Sequence, residues 1–105
     1  MKIVAVTACP TGIAHTYMAA EALVKSAANL SVNIQVETQG AMGIENKLSY
    51  QDISKADIAL IASDIMIEQA ERFEQCLVLN STIEDVLTNP DSVIKRCLTL
   101  SLKSS

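Results

Sequence analysis

Cys9, followed by Pro10, Thr11, Gly12, Ile13, Ala14, His15 and Thr16, is the stretch of this chain best suited to chemistry. The thiol comes just after the apolar run Ile3-Val4-Ala5-Val6 and just before an alanine-rich, helix-forming segment. A helix start offers backbone N–H groups without intrahelical partners, and the positive end of its dipole points the same way. That setting favours a thiolate, and it also favours a phosphate. Cys9 is therefore a candidate for both nucleophile and phosphate carrier. Gly12 lets the backbone approach a phosphoryl group closely, and the hydroxyls of Thr11 and Thr16 can donate to it.

The spacing can be set against a known device. Cysteine-dependent phosphatases use Cys-x5-Arg, with Ser or Thr after the Arg. Here the sixth residue after Cys9 is His15, and Thr16 follows. The missing Arg would have supplied a planar, permanently charged fork for two phosphoryl oxygens. Its absence weakens the case for hydrolysis and favours transfer, in which positioning and charge neutralisation supply most of the catalysis.

The elements that must position Cys9 follow from the pattern along the chain. Lys2–Thr7 reads as a central strand, apolar on both faces. Residues 13–28 read as a helix. Ser31–Glu37 alternates and reads as a half-exposed edge strand, followed by a loop at Thr38–Gly43. Ser49–Asp52 has capping-box form and opens a short helix to about Lys55. Ile58–Ala62 is a buried strand, Ser63-Asp64 could cap a helix running towards Arg72, and Cys76–Leu79 is a fourth strand. Ser81–Glu84 is a second capping box. Asn89-Pro90-Asp91 opens a last helix to about residue 102, with Val93, Ile94, Cys97 and Leu98 at helical spacing. The expectation is one three-layer, doubly wound α/β domain over residues 1–105. It has about four parallel strands at its centre and helices on both faces. Ligands of such sheets bind beyond the C-terminal strand ends, where residues 8–12, 38–43, 63–65 and 80–82 lie.

Composition narrows the class. Of 105 residues, half are apolar, with one Phe, two Tyr and no Trp, so the core is aliphatic. The net charge of −4 and the absence of a basic run speak against nucleic acid as a partner. Apolar runs are far shorter than the about 20 residues of a spanning helix, and no separate signal peptide precedes the first strand. A cytosolic protein without membrane insertion of its own is expected. Cys9, Cys76 and Cys97 show no CxxC pair and no metal-ligand spacing. No metal or cofactor is expected, and the three should stand as thiols in a reducing compartment.

The block from Cys9 to Leu23, CPTGIAHTYMAAEAL, resembles the active-site signature of the fructose-family enzyme IIB of the bacterial phosphoenolpyruvate:sugar phosphotransferase system. Glu37-Thr38-Gln39-Gly40, the loop containing Gly43, and Asp64 through Arg72-Phe73 resemble later segments of that family in the right order. The resemblance covers roughly residues 1 to 100, and nothing in the first block departs from the motif. It implies a cytoplasmic protein associated with the inner face of the membrane through enzyme IIC. Its Cys9 accepts phosphate from a phosphohistidine of enzyme IIA and passes it to a sugar, by default fructose, held by membrane-embedded IIC. On the same ground Thr11, Gly12, Ile13, Ala14, His15 and Thr16 form the phosphate loop. The tail from Cys97 to Ser105 resembles nothing nameable, which is expected of a stand-alone IIB chain.

Other readings stand beside these. A low-molecular-weight cysteine phosphatase or arsenate reductase type enzyme is the alternative, and a non-catalytic regulatory module on the same fold is a third. Cys76 and Cys97 fall on core faces and read as small hydrophobes. His15 reads either as a helix-terminal packing residue or as a helper near the phosphate. Thr11 and Thr16 could equally be caps. Gln39 and Gly40 form a turn or part of the site, Asp64 a cap or a neighbour of the site, and Arg72 a solvated charge or a partner contact.

Overall fold

The computed structural model describes residues 1–9, 14–41 and 43–104. Five strands are present there: β1 (Lys2–Ala8), β2 (Asn33–Gly40), β3 (Gly43–Glu45), β4 (Ile58–Ser63) and β5 (Val78–Ser81). The α-helices are α1 (Ala14–Asn29), α2 (Tyr50–Ser54), α3 (Ile83–Thr88) and α4 (Pro90–Ser104), and a 3-10 turn spans Ala70–Phe73. The sheet order is β3-β2-β1-β4-β5. β1 runs parallel to β2 and β4, β4 runs parallel to β5, and β3 is antiparallel to β2. The expected parallel α/β sheet is present, with one strand more than the pattern announced.

β1 is sealed on both faces. Ile3 to Ala8 are all fully buried, which is what a continuous apolar run needs at the centre of a parallel sheet. Alternate side chains feed different cores. Ile3 and Ala5 join Leu23 of α1, Leu60, Val86 of α3 and Ile94 of α4 on one face. Val4 and Val6 join Leu48, Ile53 of α2, Ala59 and Phe73 on the other. α1 packs on the first face through Ala19, Leu23 and Ala27, which repeat every four residues and are buried.

The capping signals resolve with one shift. Ser49 accepts the Asp52 N–H, and Asp52 accepts the Ser49 N–H, so the capping box of α2 is complete. The cap of α3 is Thr82 rather than Ser81, with its hydroxyl accepting the Asp85 N–H at 3.0 Å. Asn89 accepts the Ser92 N–H ahead of Pro90 at the start of α4.

Two expectations are corrected. β2 is not an edge, because the short β3, read from sequence as loop, pairs with it at Thr38–Glu45, Gln39–Ile44 and Gly40–Gly43. Gly43 makes the reversal possible with φ of +89°, a left-handed conformation that glycine tolerates best. The segment after Ser63 is not a helix either. The Ser63 hydroxyl takes the Ile65 N–H at 3.0 Å, and Gln39 takes both the N–H and the C=O of Glu68. With those groups engaged elsewhere, only the 3-10 turn at Ala70–Phe73 forms.

Candidate active site at the end of β1

The register at the top of the sheet fixes the neighbours of Cys9. Ala8 is aligned with Gln39 of β2 on one side and Ser63 of β4 on the other. Cys9, the next residue, is half-buried and in no disulfide. It opens on a cleft of about 270 Å³ walled by Gln39, Gly40 and Ala41 from β2, and by Ile65, Met66 and Glu68 from the segment after β4. Two of the four sequence-derived loops thus meet Cys9 directly.

α1 starts at Ala14, five positions after Cys9. Ala14, its first residue, and His15 are exposed, whereas Thr16 is buried. Thr7 of β1 donates its hydroxyl to the Thr16 carbonyl at 3.1 Å and fixes the helix start against the strand end. Tyr17 donates to Glu45 of β3, and that carboxylate raises the phenol's pKa. Thr38, beside Thr7 in register, keeps a buried hydroxyl oxygen that is unpartnered among the described residues. Thr11, Gly12 and Ile13 of the expected phosphate loop lie outside the described residues.

Behind the Gln39 wall is a buried ionic network that the sequence did not announce. Glu37 has no exposed surface and Arg72 only 5%. The guanidinium forks onto the carboxylate, Nη1 to Oε1 at 2.7 Å and Nη2 to Oε2 at 2.9 Å. Arg72 also donates to the carbonyls of Leu48 and Gln69, and its guanidinium carbon lies 5.1 Å from the centre of the Phe73 ring. Glu37 accepts further bonds from the Leu48 N–H and from Gln39 Nε2. Burial opposes ionisation of Glu37, but the hydrogen bonds from Arg72, Gln39 and Leu48 outweigh it and hold the carboxyl below its usual range.

Gln39 is the link between this network and the cleft. Its amide nitrogen donates to Glu37 and to the Glu68 carbonyl, and its oxygen takes the Glu68 N–H at 2.7 Å. The two cleft walls are therefore tied to each other across the end of β2. Arg72 is neither a solvated charge nor an exposed docking group, because Glu37 and the backbone carbonyls of Leu48, Glu68 and Gln69 hold it inside. Asp64 is exposed and outside the cleft lining, and Gly40 is half-buried within it. Glu37 could have been noticed as an acid placed among the apolar and polar residues of a strand. Its mate 35 residues on could not. Cys76 and Cys97 sit in the core regions expected of them. Burial raises both pKa values, that of Cys97 to about 11.

Comparisons with known proteins agree with this arrangement. The family described as "PTS system, Lactose/Cellobiose specific IIB subunit" matches residues 4–96. A fructose-like EIIB component 3 of Escherichia coli K12 is 48% identical over 92 residues, covering 88% of this chain and 81% of that protein. A fructose-specific EIIABC component of Bacillus subtilis is 45% identical over 97 residues, which is 92% of this chain but 15% of that longer one. A crystal structure of a predicted fructose-specific IIB from Escherichia coli superposes with a TM-score of 0.90 at 44% identity, covering 95% of this chain and 88% of that one. The chain belongs to the enzyme IIB family of the phosphotransferase system, the phosphoryl-transferring components that the sequence resemblance pointed to. Among the described residues, no helix is long and apolar enough to cross a membrane.

Proposed function

We propose that Cys9 is the phosphoryl-carrying nucleophile of a sugar phosphotransferase relay in the cytoplasm, at the inner face of the membrane. The observation that carries this is its position: a thiol at the end of β1, ahead of α1, opening on a cleft between two tied walls. The sulfur of the thiolate attacks the phosphorus of a phosphohistidine on a IIA donor. An S–P bond forms as the N–P bond breaks, and the imidazole leaves with the electron pair. In the second step a sugar hydroxyl attacks the same phosphorus. An O–P bond forms, the hydroxyl gives up its proton, and Cys9 leaves as thiolate. Nucleophilic catalysis divides one transfer into two in this way.

Thr11, Gly12, Ile13, Ala14, His15 and Thr16 are assigned to holding the phosphoryl group, with His15 as a helper rather than a proton shuttle. Fructose is the sugar that the resembling relatives favour, with a membrane IIC as its holder. The EIIABC relative, whose name joins IIA, IIB and IIC, supports both partners.

The test is phosphorylation with phosphoenolpyruvate, the general carrier proteins and candidate IIA proteins. Mass spectrometry should place one phosphate on Cys9, and Cys9→Ser should abolish both that label and sugar phosphorylation. Full activity of Cys9→Ser would overturn the reading in favour of a non-catalytic module. Rapid turnover of an aryl phosphate would overturn it in favour of a phosphatase.

A further inference from the structure

Beside the Cys9 cleft lies a second, apolar groove of about 390 Å³. Ile61, Ile67, Ala70, Phe73 and Glu74 line it. The two cavities share Ile65 and Met66. Met66 is 90% exposed and Ile65 44%, so the wall between them is apolar surface open to water. Exposed charge on the segment that lines both cavities has one sign: Glu74 lines the groove and Glu68 the Cys9 cleft. Asp64, Glu68, Glu71 and Glu74 are all exposed. The only basic residue from 64 to 74 is Arg72, which is buried and engaged by Glu37. The segment 64–74 next to Cys9 thus combines an apolar centre with exposed acids and no exposed base.

An apolar patch with a charged rim marks a protein-interaction site, and the rim sets which partner charge is accepted. The relay requires two proteins to reach Cys9. One of them is embedded in a membrane, and cytoplasmic loops of membrane proteins carry an excess of Lys and Arg. The exposed acids complement such loops, while anionic lipid headgroups repel them. The chain's own cations Lys95, Arg96 and Lys103 line a different cavity, along α4.

We propose that the surface of residues 64–74 is the docking face for the basic cytoplasmic loops of the membrane-embedded sugar acceptor. This rests on the phosphocarrier reading, and the two half-reactions separate the failures of the two ideas. Loading is read as phosphate on Cys9 after incubation with phosphoenolpyruvate, the general carriers and IIA. Unloading is read as sugar phosphate formed when the phosphorylated chain meets inside-out membrane vesicles containing IIC.

The variants are Glu71→Lys/Glu74→Lys and Ala70→Lys, all at exposed positions outside the Cys9 cleft. Loading should stay within about twofold of the unaltered protein, while unloading by the double variant falls about tenfold or more. Unloading by the unaltered protein should also slow as salt rises from about 0.05 to about 0.5 M, and the double variant should lose that dependence. A parallel fall in loading would assign the surface to the donor and overturn the proposal. Unchanged unloading would overturn it as well. So would equal retention of the chain on anionic vesicles that lack IIC, which would make lipid the occupant. Failure of the unaltered protein to load Cys9 would overturn the phosphocarrier reading and this one with it.

Discussion

Behind one face of the sheet Ile3, Leu23, Leu60, Val86 and Ile94 pack in a cluster with no charged member, whereas behind the other the Glu37–Arg72 pair is buried near Leu48 and Phe73. Apolar burial is non-directional and roughly proportional to area, so the first face supplies cohesion without dictating where a loop must lie. Hydrogen bonds to charged groups are directional and costly to leave unmade. The second face therefore gives up part of its hydrophobic gain and obtains placement in return. Both walls of the Cys9 cleft, Gln39–Ala41 and Ile65–Glu68, are attached to it.

The largest effect expected is from breaking the ion pair on one side. Arg72→Met leaves the Glu37 carboxylate buried without its counter-charge and should lower stability by about 3–5 kcal/mol. The double variant Glu37→Leu/Arg72→Met removes both charges and should recover most of that loss in urea unfolding, because a well-packed apolar pair can replace a buried ion pair. Recovery of stability without recovery of the rate at which Cys9 is phosphorylated would sharpen the contrast. Recovery of both would break it, since placement would then not depend on the charges.

Leu23→Ala is the matching change on the first face, with an expected loss of about 2–5 kcal/mol from lost burial and the cavity left behind. At a temperature where both single variants remain folded, iodoacetamide should modify Cys9 of Leu23→Ala at the normal rate and Cys9 of Arg72→Met at an altered one. In the unaltered protein Cys9 should react faster than Cys76 or Cys97, whose thiols burial makes harder to ionise. Equal rates for the three would sink the division of labour.

The smallest effects lie in the pH dependence, where Glu37 and Cys97 should act at opposite ends. The depressed pKa of Glu37 contributes stability that is present above the ordinary carboxyl value and lost as pH falls below about 4.5. Cys97 has the opposite sign. Its thiol keeps its proton to about pH 11 in the fold and to about 9 when unfolded. Stability is therefore present below about pH 9 and lost between 9 and 11, by at most about 2–3 kcal/mol. Thermal melts of Cys97→Ala should flatten the alkaline limb only, and those of Glu37→Leu/Arg72→Met the acid limb only.

Much of the first face was legible in the sequence. The unbroken run Ile3–Val6 announces a strand sealed on both sides. The spacing of Val93, Ile94 and Cys97 shows which side of α4 is buried. These signals are local, arising from residues a few positions apart. The position of Cys9 directly after β1 was legible for the same reason, since strand and thiol adjoin in sequence. The second face was not, because its organising contact joins Glu37 to Arg72 across 35 positions. Glu37 shares a strand face with Asn33 and Gln35, which are exposed, and alternation alone would put it in water as well. It is buried because Leu48 and the 3-10 turn, distant in sequence, fold over it. The helix expected after Ser63 failed for a related reason: Gln39 takes the backbone groups of Glu68 that a helix would have used.

The two outer strands have a consequence for how the sheet meets other molecules. An exposed strand edge is a template for pairing with another chain. Here the outermost strands are β3, of three residues, and β5, of four. Each is short enough to give a second molecule little to grip. The sheet can therefore hold Cys9 at the tip of its central strand with little tendency to grow into aggregates along its sides.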